Sequence, residues 1–259
     1  MNKNTTLPAN IDEVLMALDE IIEAELLTNS PIALFAYVYR RTTAEIKKGV
    51  ESKLFKDNER MQAFDVVFAN YYIKAYRDHQ LQLPISQSWK LAFDAAKEPL
   101  CIVQHITLGM NAHINLDLGI AASTMMHGKE LNDLKADFMK VNSILFSLTD
   151  ELQAGLGKVS KMLFLANWLG QRNDELLINF SIAKARDFSW ITANRVWSAP
   201  NPEKQQLAMK EIDKAVALIG NTLRFPKGWL LKSAIRFIRR FEETDMRKVV
   251  DQLKKTHRK

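Results

Sequence analysis

Residues 100–123 read Leu-Cys-Ile-Val-Gln-His-Ile-Thr-Leu-Gly-Met-Asn-Ala-His-Ile-Asn-Leu-Asp-Leu-Gly-Ile-Ala-Ala-Ser, which is apolar enough for a helix in the core of a protein. Two histidines, two asparagines and one aspartate interrupt the apolar residues. A buried helix must satisfy every polar group that it removes from water, and an ionised carboxylate without a partner is costly to bury. The stretch therefore predicts a central helix whose polar side chains form either a structural network or a functional site.

Segments on both sides of this stretch repeat their apolar residues at the spacing of an α-helix. Asn10 and Ser86 are predicted N-caps, and Pro99 is expected in the first turn of the central helix. Gly128 is expected to close the central region. The predicted helices lie at about 10–27, 30–55, 57–77, 89–97, 99–128, 129–155, 158–169, 173–199, 201–223, 229–241 and 244–255.

The composition fits one folded helical domain. Of the 259 residues, 47% are hydrophobic and 25% are charged, and nine Gly and seven Pro are too few for the many turns of an all-β fold. No internal repeat and no low-complexity linker divides the chain. We predict an all-α, single-domain multi-helix bundle of about ten helices over residues 10–255, after a disordered N-terminus at residues 1–9.

The sequence also favours a cytoplasmic protein. Its N-terminus is short and polar, without the apolar core of a secretion signal. No run of about eighteen apolar residues is present, so no membrane-spanning helix is expected. The single cysteine, Cys101, excludes an internal disulfide, and its apolar neighbours predict a buried, inert thiol.

The net charge of +6 comes from the C-terminal segment, where Arg224 to Lys259 include twelve Lys or Arg against four Asp or Glu. Proteins that follow a phosphate backbone spread cations over a whole face, so this distribution argues against sequence-specific nucleic-acid binding. Basic amphipathic helices are predicted from about residue 228. In residues 229–241, Lys and Arg alternate with aromatic and aliphatic residues, so this helix either packs on its own domain or contacts an anionic membrane surface or a partner weakly.

His113 and Asp117 are four residues apart and are therefore neighbours on one face of the central helix. His105 lies within about 120° of both in projection, so the three side chains are expected to border one groove. Imidazole and carboxylate both suit a divalent ion, and the three residues are a candidate site for a single metal ion. A structural ion pair and a functional site without metal are the alternatives.

Asn111 and Asn115 form a second i,i+4 pair on a different face, better suited to hold backbone or a substrate than a metal ion. Asp65 is interpreted as a boundary residue that faces water, with a second carboxylate for the groove as the alternative. Asp137 is interpreted as a residue at the flank of an apolar stripe.

Arg186 shares one helix face with Trp190 and several alanines. This pattern suggests a guanidinium directed inward, stacked on Trp190 or paired with a buried carboxylate such as Asp117. The alternative is a side chain whose stem packs on the protein while its head reaches solvent.

The motif Asn-Ala-His-Ile-Asn-x-Asp-Leu stands at Asn111 to Leu118, with Phe35-Ala-Tyr-Val-Tyr-Arg-Arg-Thr-Thr upstream and Asp137-Phe-Met-Lys-Val-Asn142 downstream. With these segments the chain resembles an uncharacterised bacterial family, a helical domain of unknown function, over about residues 10–250. The resemblance implies an all-helical fold and an important motif, without a substrate. Such proteins often continue with Pro after the motif, whereas this chain has Gly119, so we expect a difference in how the helix ends.

Two functions remain open, and no phosphate-binding loop, nucleophile elbow or His-Glu-x-x-His motif decides between them. In the first, the protein is a hydrolase-like enzyme: His113 is a ligand or general base with Asp117 as its partner, His105 is a second ligand or acid, and Arg186 binds an anion. In the second, the protein is a non-catalytic binding protein whose polar helix is a structural network. Its ligand is then a lipid, a small molecule or a protein.

Overall fold

The computed structural model describes residues 6–160 and 182–256, which form helices joined by turns, with no strand among them. The predicted all-α bundle is confirmed. The helices are α1 Ile11–Leu27, α2 Ile32–Glu51, α3 Asn58–Gln80, α4 Gln87–Asp94 followed by one 3₁₀ turn Ala95–Lys97, α5 Ile102–Ala112, a π-helical turn His113–Asp117, α6 Leu118–Met125, α7 Asn132–Val159, α8 Ile182–Trp197, α9 Pro202–Arg224, α10 Trp229–Arg240 and α11 Met246–Thr256.

Side-chain caps fix where several helices begin. Asn10 accepts a hydrogen bond from the backbone N–H of Glu13 at 2.9 Å, which satisfies one of the free amides at the start of α1. Asp57, Ser86 and Asn201 do the same at α3, α4 and α9. The predicted N-caps Asn10 and Ser86 are therefore confirmed, and α4 begins directly after its cap at Gln87 rather than at residue 89.

Two predicted boundaries are wrong for identifiable reasons. The second helix ends at Glu51 rather than near Phe55, because Lys53 turns into the left-handed region with a φ of 55°. The central helix begins at Ile102 rather than at Pro99. Glu98 has the extended backbone that a residue before proline adopts, and Cys101, the residue just before the helix, is extended as well.

The second half of the chain is described in part. The helix predicted at 129–155 runs from Asn132 to Val159, and most of the helix predicted at 158–169 lies outside the described residues. The described part of the helix predicted at 173–199 is α8. Of the N-terminus predicted to be disordered, residues 1–5 also lie outside the described residues.

The central rod, which we define as α5, the π-helical turn and α6, packs against α2, α3, α4, α8 and α9. Two glycines permit its closest contacts. A Cβ on Gly109 would lie 2.4 Å from Cγ of Phe35 on α2, and a Cβ on Gly119 would lie 2.6 Å from the Ser189 carbonyl oxygen on α8. The rod continues as a helix through Gly119 to Met125.

Helix α10 packs on the domain with one face only. Its buried residues are Leu231, Ala234, Ile235 and Ile238. The rest of the helix and its flanks expose large apolar side chains, and Trp229 is 74% exposed. Within residues 6–160 and 182–256, no helix is both long and apolar enough to cross a membrane.

Candidate functional site

The structure brings His113 and Asp117 together inside the bundle. Nδ1 of His113 lies 3.3 Å from Oδ2 of Asp117, and the indole N–H of Trp89 donates to the same carboxyl oxygen at 2.8 Å. Both residues belong to the π-helical turn, a feature that is frequent at functional sites. The i,i+4 spacing in the sequence already indicated this pair, whereas Trp89 comes from a separate helix and carried no signal.

Burial determines the charge of this pair. Desolvation raises the pKa of Asp117 well above its usual range, and the Trp89 hydrogen bond opposes this only in part. Desolvation also lowers the pKa of His113 well below its usual range. Both shifts favour the uncharged forms of the two groups, so the pair is neutral as a unit.

Aromatic rings enclose the imidazole of His113. Phe68 stacks on it with 3.8 Å between ring centroids, and Tyr39 meets it edge-on at 4.1 Å. The rings of Phe35, Tyr72 and Trp89 lie further out, with centroids at 5.6, 6.1 and 6.2 Å. Nε2 of His113 is buried and has no hydrogen-bond partner in the described part of the chain.

His105 does not join this pair, and the prediction that all three residues border one groove is wrong. His105 lines a separate small cavity of about 20 Å³ beside Trp89 and Gly109, and Phe35 forms a wall of both this cavity and the one at His113. Burial, aided by Arg239, lowers the pKa of His105 to about 4.

The described residues do not make up a metal site. Among the described residues, no three His, Cys, Asp or Glu side chains are grouped so that they could hold a metal ion. Asp117 is engaged by both His113 and Trp89 through the same oxygen, and His105 is apart.

Asn111 holds neighbouring backbone, as one of the two predicted roles requires, and Asn115 holds the side chain of Asn111. The Asn111 side chain donates to the carbonyl oxygen of Val216 on α9 at 2.9 Å. The Asn115 amide donates to Oδ1 of Asn111 at 2.9 Å. The pair therefore fastens α9 to the central rod.

Arg186 is directed inward and is only 3% exposed, but neither predicted partner is observed. Its guanidinium stacks on Phe138 rather than on Trp190, with Cζ 4.4 Å from the centre of the Phe138 ring. Nη2 donates a hydrogen bond to the Phe138 carbonyl oxygen. Asp117 is already satisfied by His113 and Trp89, which explains why it does not pair with Arg186.

Asp65, interpreted as a boundary residue that faces water, and Asp137, interpreted as a residue at the flank of an apolar stripe, are both buried. The interpretation of Asp65 as a residue that faces water is therefore wrong. Asp65 is 2% exposed and one of its oxygens has no partner among the described residues, so that burial raises its pKa to about 7. Asp137 accepts hydrogen bonds from the backbone N–H groups of Lys56 and Asp57 and from Arg60. It thereby holds the start of α3 against α7. Cys101 is buried as predicted.

An apolar cavity of about 70 Å³ adjoins His113, and its wall draws on α2, α3, the central rod, α7 and α8. The sequence did not indicate this cavity, because its wall comes from five separate parts of the chain. It is lined by Phe35, Val38, Tyr39, Thr42, Ile46, Phe68, Met110, His113, Ile114, Leu118, Val141, Leu145, Leu148 and Arg186.

Fold and site together define an all-helical protein with a neutral polar pair and a buried guanidinium beside an apolar cavity. The sequence profile of the Family of unknown function (DUF5995) matches residues 11–226, and the chain belongs to this family. The predicted resemblance to a family of unknown function is thus confirmed. No curated protein and no solved structure matches the chain.

Proposed function

We propose that the protein binds a small molecule with an apolar body in the cavity beside His113. The observation that carries the proposal is the cavity of about 70 Å³ between α2, α3, the central rod, α7 and α8. A well-packed core has few voids larger than a water molecule, and a water site needs only about 10–15 Å³. Apolar cavities of this kind stay dry and accept small apolar molecules.

The geometry supports binding better than hydrolysis. A general base works best with a pKa near the operating pH, and burial lowers the pKa of His113 well below its usual range. The imidazole is also held between rings and by Asp117, so that it contributes a wall and one polar atom. We therefore assign His113 and Asp117 to the architecture of a binding site.

1-Butanol is a suitable probe, because a cavity of this size accommodates only a few carbon atoms. We expect it to bind in saturation-transfer NMR experiments on the full chain. Val141→Phe places a ring in the space that Val141 now borders, and we expect it to weaken butanol binding at least about tenfold.

The matched control is Val67→Phe on α3, at a half-buried position outside the cavity lining. We expect this variant to bind butanol as the unaltered protein does. Equal weakening by the two variants, or no binding to the unaltered protein, would contradict the proposal.

We also propose that α10 makes weak contact with an anionic membrane surface. From Phe225 to Phe241 the chain carries five Lys or Arg and no Asp or Glu. Its exposed apolar side chains lie beside these cations, as in helices that bind in the interface of anionic bilayers. These side chains are Phe225, Trp229, Leu230, Phe237 and Phe241.

Co-sedimentation with vesicles tests this contact. We expect the protein to bind vesicles that contain phosphatidylglycerol and not pure phosphatidylcholine, and the double variant Trp229→Ser, Phe237→Ser to bind about tenfold more weakly. The control replaces two exposed apolar residues elsewhere, Leu27→Ser and Ile191→Ser. Equal binding to both vesicle types, or equal loss in the control, would refute the contact.

A further inference from the structure

Arg186 is a buried cation without a counter-ion in the described part of the chain. Its side chain lies on the wall of the cavity beside His113. Nη2 donates to the Phe138 carbonyl oxygen, whereas the buried Nε has no hydrogen-bond partner. The carboxylate of the adjacent Asp187 favours the charged form of Arg186, but Asp187 is exposed to solvent.

A buried guanidinium without a counter-ion lowers the free energy of unfolding of the unliganded protein. Charged side chains are almost never fully buried unless they are paired, and a buried charge without a partner is strongly destabilising. Desolvation is large enough to lower the pKa of Arg186 to about 9. The neighbouring ring of Phe138 and the cavity are apolar. If Arg186 only filled space, an apolar side chain of similar length would therefore stabilise the fold more.

We propose that Arg186 binds the carboxylate of a small apolar acid whose hydrocarbon part fills the cavity. This inference rests on the proposed function and specifies its ligand. A carboxylate supplies one negative charge and two oxygens, which match the planar fork of a guanidinium. Ligand and Arg186 then neutralise each other, and the free Nε–H obtains its acceptor.

A carboxylate fits this site better than a phosphate group does. Phosphate carries more charge and more oxygens than one guanidinium satisfies. The other polar groups near the cavity wall are a neutral pair, His113 with Asp117, and uncharged hydroxyls such as Thr42. The cavity volume of about 70 Å³ limits the hydrocarbon part to a short chain.

The test compares butanoate with 1-butanol, which share their hydrocarbon part and differ in the charged group. In calorimetric or NMR titrations of the full chain, we expect butanoate to bind at least about tenfold more tightly. Arg186→Met removes the charge and retains the apolar stem. We expect this variant to lose the preference for butanoate, to keep its affinity for butanol, and to melt at a higher temperature without ligand.

Arg195→Met is the matched control, since Arg195 is exposed on the same helix and pairs with Glu211. We expect it to keep the preference for butanoate. If Arg186→Met does not fold, nitrogen-detected NMR of the unaltered protein replaces it, with Arg186→Lys for assignment. The Arg186 Nε–H signal is expected to shift with butanoate and not with butanol.

The outcomes separate this inference from the proposed function. Binding of butanol without tighter binding of butanoate overturns the carboxylate inference and leaves the cavity as a binding site. A butanoate preference that persists in Arg186→Met, or an Nε–H signal unmoved by butanoate, also overturns it. If neither compound binds, both proposals fall.

Discussion

Gly119→Ala is expected to lower the free energy of unfolding by about 3 kcal/mol or more, since overpacking a core usually costs about 1–3 kcal/mol and here the obstacle is backbone. The new Cβ would lie 2.6 Å from the Ser189 carbonyl oxygen and 2.5 Å from Cγ2 of Thr192. Real Cβ atoms essentially never approach this closely, so α8 must move away from the central rod. Chemical denaturation of the purified variant measures the loss.

Gly157→Ala is the matched control, because Gly157 is also inside a helix and a Cβ there meets no atom of the described residues within 4 Å. Alanine favours a helix over glycine by about 0.5–1 kcal/mol, so we expect this variant to be slightly more stable than the unaltered protein. Because the two variants are expected to change the free energy of unfolding in opposite directions, their comparison separates the packing effect from the effect of helix propensity. A Gly119→Ala variant as stable as the Gly157→Ala variant would show that α8 does not press on the rod.

Local geometry explains which parts of the site the sequence predicts. His113 and Asp117 are four residues apart in a helix, and this spacing alone makes them neighbours. The N-caps follow from residues that bond the next few amides of their own segment. Such features depend on short stretches of chain, and the structure agrees with them.

The placement of His105 depends on a distant segment. Phe35, from α2, packs on Gly109, which is one turn after His105 and one turn before His113. The ring separates the two histidines into different cavities, although a projection of the central helix places them within one sector. The sequence shows that Gly109 admits a close approach, without showing which side chain approaches.

Contacts with several neighbouring helices explain why the sequence does not predict the burial of Asp65 or the partner of Arg186. Helix α3 contacts α1, α2, α4 and the central rod, so a residue beside its apolar stripe is also covered. The inward direction of Arg186 follows from the pattern of its own helix, whereas its contact with Phe138 depends on how α7 packs. The apolar periodicity of a helix indicates its main buried face, but it does not indicate whether a second helix covers another face.

Asp65→Asn is expected to make the protein more stable at neutral and alkaline pH. Burial raises the pKa of Asp65 from 3.8 to about 7, so the folded protein binds a proton that the unfolded chain has released. The stability that this proton provides is complete below pH 3.8, decreases as the pH rises, and is lost above about pH 7. At about 1.4 kcal/mol for each pH unit, the full loss is roughly 4 kcal/mol. Asparagine has nearly the same shape and does not titrate.

Denaturation of the Asp65→Asn variant and of the unaltered protein between pH 4 and pH 8 measures the difference in their free energies of unfolding. We expect this difference to be small in acid and to grow by roughly 3–4 kcal/mol with rising pH. Asp251→Asn, at an exposed position on α11, is the control and is expected to lack this growth. The sign of the result is informative, because a carboxylate held by a cation would have the opposite dependence. A variant that is less stable than the unaltered protein at pH 8 would therefore show that Asp65 is ionised and paired in the folded protein.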